Sequence, residues 1–175
     1  YNKSNLAFSW SSVGDFTPVS WFWSLNQDPE APADQSISLR ITTKTIADVR
    51  DGIWYVHLRA DDVAGNALKA RRRVQIDTVG PNPIAPILDS QQINEGSKVE
   101  LNFGTTDDLS GIAKYEVSLN DEPFAEQISP MTLSDLKAGN YFVRVKAVDN
   151  AGNETFGVTT LRVYPKGVKI PSASA

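Results

Sequence analysis

One short motif, Asp-x-Ala-Gly-Asn, occurs twice in the chain, and its residue types suit a metal loop, a binding tip or a tight turn. It is DVAGN from Asp62 and DNAGN from Asp149, 87 residues later. An Asp carboxylate accepts backbone N–H groups across a turn, and Gly adopts the positive φ that lets a chain reverse. Turn chemistry explains every residue type in the motif, so we expect two β-hairpin turns. A metal role for Asp149 stays open as the alternative.

Other residues with catalytic potential are few and scattered. The only histidine, His57, has no serine or cysteine nucleophile motif near it. The pairs Asp61–Asp62 and Asp107–Asp108 are sequence neighbours on predicted turns, with no predicted cleft to raise a pKa. Cysteine is absent, which excludes disulfides, thiol catalysis and cysteine metal sites. The sequence therefore predicts a protein that is not an enzyme.

Two long hairpins must position the repeated motif. Segments 52–76 and 139–163 align without a gap at an offset of 87 residues. The strand that enters each turn alternates apolar and polar residues, which is the pattern of a β-strand with one buried face. The apolar positions are Trp54, Val56, Leu58 and Ala60 in the first copy and Tyr141, Val143, Val145 and Ala147 in the second.

Upstream segments repeat in the same way. LAFSW from Leu6 matches VELNF from Val99, and SWFWSLN from Ser20 matches KYEVSLN from Lys114. Seven short strands per copy indicate an immunoglobulin-like (Ig-like) sandwich. We expect further short strands within 37–42 and 124–132, and a first strand at 87–90 that has no counterpart in the first copy.

Length and composition predict an all-β chain. The 175 residues carry a net charge of -4, and the segment DTVGPNPIAP, which begins at Asp77, holds three prolines that make a stiff linker. We therefore predict two tandem Ig-like (fibronectin type III-like) β-sandwiches over residues 1–79 and 80–165, followed by a flexible tail or linker over 166–175. The longest apolar runs are too short to cross a bilayer, so no membrane insertion is predicted within the sequence.

Three segments of the sequence are typical of a known group of modules. They are LKAGNYFVRVKAVDNAGN, QIDTVGPNPIAP and DDLSGIAKYEVSLN. The chain resembles the bacterial Ig-like and fibronectin type III-like modules of cell-surface proteins. The resemblance implies a secreted or cell-surface location, neighbouring domains of a longer parent chain as partners, and a non-catalytic role in adhesion, as a stalk or spacer. It equally allows an accessory or substrate-binding module of a secreted glycoside hydrolase or protease.

The resemblance also implies a tyrosine corner, in which a phenol bonds back to the main chain near the start of a strand. Leu136 followed by Tyr141 fits this corner in the second copy. Trp54 stands at the equivalent position of the first copy, where its indole N–H is expected to replace the phenol.

A calcium site between the copies is the sharper alternative to a plain turn. An Ig-type sandwich places the loops TTDDLSG and DNAGN at the end where the chain enters, and the linker itself begins with an Asp. Calcium binds six to eight oxygen ligands, and modules of this kind in giant bacterial adhesins bind calcium between domains. No EF-hand spacing is present, and no other cofactor is expected. The predicted ligands are Asp77, Asp107, Asp108 and Asp149.

One sheet face of the first copy combines aromatic and basic side chains. These residues alternate with the core positions, and a face of this kind binds an anionic surface glycan or an acidic protein, or is simply solvated. Nucleic acid is not expected, because the chain is acidic overall and shows no extended basic groove. The predicted face consists of Phe22, Tyr55, His57, Arg59, Lys69, Arg71 and Arg73.

Two further sets of apolar side chains are expected to behave differently: one to contact another protein and the other to be buried in the core. Phe142, Phe156 and Val158 lie at outward positions of the second hairpin, where an exposed apolar patch predicts contact with protein. All four tryptophans belong to the first copy and fall at core positions of their strands, so burial is expected and carbohydrate binding is not. They are Trp10, Trp21, Trp23 and Trp54.

Overall fold

The computed structural model describes residues 1–12 and 16–171, which form two compact units, Tyr1–Thr78 and Val79–Ala175. Every regular element in these described ranges is a β-strand. The same ranges contain no helix that is long and apolar enough to span a membrane. The prediction of an all-β tandem pair is confirmed. The last four residues of the predicted tail, 172–175, lie outside the described residues.

The first unit is a small two-layer sandwich. One layer is a four-stranded antiparallel sheet in the order β3-β2-β5-β6, and the other is the antiparallel pair β1-β4. The strands are β1 (Leu6–Ser9), β2 (Ser20–Asn26), β3 (Gln35–Ile37), β4 (Thr43–Ile46), β5 (Gly52–Asp61) and β6 (Ala67–Ile76).

The core of the first unit is small and its aromatic residues sit at the margin. Of the four tryptophans only Trp21 is buried, so the expectation of burial is wrong for Trp10, Trp23 and Trp54, which are half-buried. Two strands cannot cover the whole of a four-stranded sheet, so rings at the margin are covered on one side only. Lys44 lies over the ring of Trp23, with its Nζ 4.1 Å from the ring centroid. The buried core cluster is Leu6, Val49, Val56, Val74 and Ile76.

The second unit is a larger sandwich. Its layers are a five-stranded sheet in the order β11-β10-β13-β14-β8 and a three-stranded sheet in the order β12-β9-β7. The strands are β7 (Ile87–Leu88), β8 (Gln92–Asn94), β9 (Val99–Asn102), β10 (Ile112–Leu119), β11 (Ala125–Gln127), β12 (Met131–Leu133), β13 (Gly139–Asp149) and β14 (Glu154–Tyr164).

The second unit closes its sandwich with strands that the first unit lacks. β8 adds to the edge of β14 in parallel, and β7 adds to the edge of β9. In the described part of the first unit, β6 and β1 are the equivalents of β14 and β9, and neither has such a partner strand. Among the described residues, the buried core cluster of the second unit accordingly has 13 apolar members, compared with five in that of the first.

The corner predicted from the sequence is present in both units. The Tyr141 hydroxyl donates to the Lys137 carbonyl at 3.0 Å, and the Trp54 Nε1–H donates to the Arg50 carbonyl at 2.8 Å. The two rings therefore fix the start of β13 and of β5 in the same way. The indole does take the place of the phenol.

Candidate functional site

The second copy of the repeated motif is a buried turn held by one carboxylate. Asp149 Oδ1 accepts the backbone N–H groups of Ala151, Gly152 and Asn153 at 2.8, 2.6 and 2.8 Å. Its Oδ2 accepts the side-chain amide of Asn153 at 2.8 Å, and the residue is only 1% exposed. Gly152 has a φ of 94°, which reverses the chain into β14. The turn interpretation is confirmed.

The first copy has the same turn in a more solvated setting. Asp62 Oδ1 accepts the N–H groups of Ala64 and Asn66 at 2.9 and 2.8 Å, and Oδ2 accepts the Asn66 amide at 2.8 Å. The Asn66 side-chain hydrogen bond is the main reason that the pKa of Asp62 lies below its usual value. Both Asn residues of the motif thus return a hydrogen bond to the Asp of their own turn.

Asp107 organises the neighbouring loop of the second unit. Its Oδ1 accepts the N–H groups of Leu109, Ser110 and Gly111 at 3.2, 2.7 and 2.8 Å. Burial opposes ionisation of this carboxyl, but the three backbone hydrogen bonds outweigh it and lower the pKa of Asp107. A carboxylate oxygen of Asp107 and one of Asp149 lie within 4.8 Å of each other. Two of the predicted calcium ligands are therefore close together in the second unit.

The other two predicted calcium ligands differ in their surroundings. Asp108 is exposed, and its Oδ1 accepts a long 3.5 Å hydrogen bond from the Asn82 amide. Asp77 is a buried residue of the first unit, directly after β6, and its N–H donates to the Tyr1 carbonyl at 2.9 Å. Calcium binding by the set of four remains a prediction.

The predicted cationic face of the first unit is partly covered by the chain itself. The loop 27–34 between β2 and β3 lies over it: the Ser24 hydroxyl donates to the Pro32 carbonyl at 2.7 Å. His57 is only 6% exposed, and its Nε2 lies 3.0 Å from the Asp28 carbonyl oxygen. The alternation placed His57 on the correct face, but its exposure was predicted wrongly. The alternation of a strand shows which face a residue lies on and does not show whether a loop covers that face.

The remaining cations of this face are mostly engaged. Arg59 forms a two-pronged ion pair with Asp61, which lowers the pKa of that carboxyl, and its guanidinium lies 4.9 Å from the centroid of Phe22. Arg71 contacts the Glu30 carboxylate and the Pro29 carbonyl. Lys69 is exposed, and a cavity of about 470 Å³ lies between the sheet and the covering loop. Ligand binding on this face stays a prediction.

Outward apolar residues of the second hairpin form an exposed stripe. Phe142, Phe156 and Val158 are each more than half exposed, as the alternation predicts. Phe156 packs edge-on against Phe124, with ring centroids 6.0 Å apart, and Phe124 was not singled out from the sequence. Phe124 lies on the loop before β11, where no alternation of apolar and polar residues indicates its surroundings. Contact of this stripe with another protein stays a prediction.

Charged residues flank the stripe and form a compact network. The Lys146 ammonium lies 2.5 Å from a Glu116 carboxylate oxygen and 3.2 Å from one of Glu154. Lys114 also contacts Glu116, at 2.6 Å. The side-chain hydrogen bond from Lys114, followed by that from Lys146, lowers the pKa of Glu116, and the bond to Glu116 raises the pKa of Lys146. The network spans β10, β13 and β14 and thereby links neighbouring strands.

Each unit is an Ig-like or fibronectin type III-like β-sandwich. No protein-family model matches the sequence, and no curated protein matches it either. Among solved structures, the chain is similar to the fibronectin(III)-like modules of Clostridium thermocellum CbhA at 12% identity, with a TM-score of 0.53, covering 99% of this chain and 92% of that one. It is similar to murine CEACAM1b at 10% identity, with a TM-score of 0.52 and 93% of each chain covered.

A third solved structure comes from a 1.5-MDa bacterial ice-binding adhesin, with 17% identity, a TM-score of 0.48, and coverage of 94% of this chain and 58% of that one. The first two likenesses, with TM-scores above 0.5, confirm the predicted resemblance to Ig-like and fibronectin type III-like modules. At such low identities they establish the fold and leave the function to be argued from the residues.

Proposed function

We propose that the chain is a pair of non-catalytic spacer modules from an extracellular or cell-surface protein, serving in a stalk that holds other domains away from their anchor. The observation that carries the proposal is the parallel pairing of β8, an early strand of the second unit, with β14, its last strand. Its mechanical consequence follows from the direction of the hydrogen bonds.

Pulling on the ends of the second unit loads β8 and β14 in shear. These strands run parallel, so an opposing pull stretches their hydrogen bonds together instead of opening them one at a time. The bonds that flank the pair are Arg162 N–H to the Gln91 carbonyl and Glu95 N–H to the Tyr164 carbonyl, both 2.8 Å. Shear resistance is the property that a spacer needs.

The first unit has a shorter version of the same arrangement. The Asp77 N–H donates to the Tyr1 carbonyl, and the Tyr1 ammonium donates to the Gln75 carbonyl, each at 2.9 Å. In this 175-residue chain, two hydrogen bonds of Tyr1 lie where the second unit has its strand pair. We therefore expect the first unit to yield at a lower force.

Single-molecule force spectroscopy of the whole chain tests the proposal. At about 3.5 Å per extended residue, unfolding of Tyr1–Thr78 and of Val79–Ala175 releases about 270 Å and about 340 Å of chain. We expect two separate force peaks, with the shorter extension at the lower force. Unfolding of both units without a resolvable peak contradicts a spacer role.

The competing function is an accessory module that binds polymer substrate for a secreted hydrolase. The aromatic and cationic residues of the first unit, with the cavity beneath loop 27–34, are the observation that favours it. Sedimentation with insoluble polysaccharides distinguishes the two. Retention that is lost in Tyr55→Ala, but kept in the matched variant Tyr164→Ala of the second unit, favours the accessory role and overturns the spacer.

Calcium binding is a separate part of the proposal. The closeness of Asp107 and Asp149 supports it, since two carboxylates at this distance repel unless a cation or donors offset their charge. Thermal melting in millimolar calcium and then in EDTA is the test. A melting temperature raised by calcium in the wild type and in Asp121→Asn, but not in Asp107→Asn, is expected. Equal melting in calcium and EDTA eliminates the site.

A further inference from the structure

The outward face of the five-stranded sheet in the second unit has two adjoining hollows. One has a volume of about 560 Å³ and lies toward β8 and β14, and the other, of about 540 Å³, lies toward the end of β10. Asn140 and Phe142 line both hollows, which therefore form one groove beside an exposed ring, here called the Phe142 groove. Its other main lining side chains are Gln92, Asn120, Asp121, Arg144, Val158 and Arg162.

Two amide side chains of the groove are oriented by hydrogen bonds within the second unit. Asn120 Oδ1 accepts the Phe142 backbone N–H at 2.9 Å, and Asn140 Oδ1 accepts a guanidinium N–H of Arg162 at 2.5 Å. Since both partners can only donate, the oxygen of each amide must face its partner. The two Nδ2 groups have no acceptor among the described residues, so they are left as donors to the groove.

Gln92 adds a third amide of the same kind. Its Oε1 accepts the Tyr164 hydroxyl at 3.3 Å, which leaves its Nε2 as a donor. Arg144 donates from Nη2 to the Asn120 carbonyl, and its buried Nε–H has no acceptor among the described residues. In the same part of the chain, the only carboxylate that lines the groove is Asp121, which lies 3.6 Å from Arg144 Nη2. The groove therefore has more donors than acceptors.

The spacing along β13 sets the kind of chain that fits the groove. Phe142 is 59% exposed, and residues 140 and 144 flank it on the same face of the strand. These two positions are about 13 Å apart, at about 3.3 Å per residue. A chain in the polyproline II (PPII) conformation rises about 3.1 Å per residue, so about four of its residues span this distance. The prolines of a Pro-x-x-Pro segment then lie on the two sides of the ring.

A proline-rich chain also matches the excess of donors. Each proline has a carbonyl but no N–H, so such a chain brings acceptors without donors, and its rings pack against the phenyl ring. It is extended before it binds, which reduces the entropy lost on binding. A glycan matches less well, because each hydroxyl acceptor brings a donor of its own.

We propose that the Phe142 groove binds a proline-rich segment of another polypeptide in the PPII conformation. The Phe142 ring packs between two prolines, and the Nδ2 groups of Asn120 and Asn140 donate to carbonyl oxygens of the segment. This role goes beyond that of a spacer, and it gives the predicted protein contact of Phe142 a partner of defined chemistry. Failure of the peptide test leaves the spacer role intact, since force spectroscopy tests that role separately.

The test is a titration of the isotopically labelled whole chain with capped decaproline, followed by NMR. A capped Gly-Ser peptide of equal length is the control, because it is flexible and carries N–H groups. Tryptophan fluorescence is unsuited, since all four tryptophans lie in the first unit. We expect saturable binding of decaproline alone, with shifts of the side-chain amide signals of Asn120 and Asn140.

Two variants and one matched control locate the binding. Phe142→Ala is expected to weaken decaproline binding by about tenfold, because it removes the ring that the prolines cover. Phe156→Ala should leave binding unchanged, since Phe156 is 56% exposed on the same sheet but does not line the groove. Asn140→Asp replaces the donor by an acceptor of the same shape, so binding should weaken by about tenfold. Far-UV circular dichroism checks that each variant is folded.

Three peptide results overturn the proposal: no saturation at millimolar decaproline, equal binding of the Gly-Ser peptide, or an unchanged affinity in Phe142→Ala. Tighter binding of cellohexaose at the same amide signals also overturns it, because the groove then belongs to a glycan. A concentration-dependent dimer that shifts these signals without peptide assigns the groove to a second copy of the chain and has the same consequence.

Discussion

The two aspartates of the repeated motif accept similar hydrogen bonds, but their surroundings make their expected contributions to stability differ. Asp62 and Asp149 each accept backbone N–H groups and the side-chain amide of the Asn four residues later, Asn66 and Asn153. Asp149 is buried and Asp62 is partly solvated, so water replaces lost bonds only in the first unit. Loss of a buried acceptor leaves its donors without partners, which costs more than the bonds themselves contribute.

Asp149→Ala is therefore expected to lower the free energy of unfolding of the second unit by about 2–4 kcal/mol, and Asp62→Ala to lower that of the first unit by less. All four tryptophans lie in the first unit, so their fluorescence reports that unit, whereas far-UV circular dichroism reports both. Denaturant titrations with both signals measure the two effects separately. Equal losses in the two variants, or a loss in the exposed control Asp108→Ala as large as that in Asp149→Ala, would contradict this ranking.

The depressed pKa of Asp107 gives the second unit a pH-dependent stability. Because the folded pKa lies below the unfolded value of about 3.9, the stabilisation is complete above that value and is lost as the pH falls through the folded pKa. Asp107→Asn keeps the shape but not the charge. We expect it to lower stability at neutral pH and to flatten the decline that sets in as the pH falls below about 4, measured from denaturant midpoints by circular dichroism. An unchanged acid slope would refute this.

At the scale of elements, the long hairpins were predictable and the short strands were not. Apolar alternation and the turn motif gave β5, β6, β13 and β14 nearly to their ends. β4 and β8 were missed, since they are polar, three or four residues long, and exist only through distant partners. The covering loop 27–34 was missed for the same reason: its contacts with β2 and β5 are long-range and leave no periodic pattern.

Gly157 marks a close approach between β14 and the segment before β7 in the second unit. A side chain there would overlap the Ile84 carbonyl and Pro86, so the segment before β7 would have to move away from β14. Gly157→Ala is expected to destabilise the second unit by about 1–3 kcal/mol, measured by circular dichroism in denaturant. Gly104→Ala is the control, because a Cβ at that position meets nothing within 4 Å. Stability that is unchanged in Gly157→Ala would show that the segment yields freely.

On the scale of the whole molecule, two copies of one fold differ in how completely they are built. Among the described residues, the second unit has the edge strands β7 and β8, which the first unit lacks, and its buried core cluster has 13 members, compared with five in the first. Sequence repetition revealed the two copies, but not this inequality. The entering strands β5 and β13 have the same apolar alternation in both copies, and that alternation does not reveal which neighbours cover them.

Unequal cores predict unequal melting. Since buried apolar area dominates stability, the first unit should unfold at a lower temperature than the second. In a thermal scan of the whole chain, tryptophan fluorescence should complete its transition while part of the far-UV signal remains. Variants in the second unit, such as Gly157→Ala, should move only the later step. A single coincident transition by both signals would be the contrary result.

The outer edge of β6 from Ala67 to Arg73, which has no partner strand among the described residues, bears on how this 175-residue chain behaves in concentrated solution. Lys69, Arg71, Arg72 and Arg73 all lie on this strand, and like charges on two copies repel before their edges can join. Salt shortens the reach of that repulsion to about 8 Å at physiological ionic strength and to about 3 Å at 1 M. The chain should therefore stay dispersed in dilute buffer and begin to associate as salt is added, which light scattering would record. Adding salt to improve its solubility would have the opposite effect.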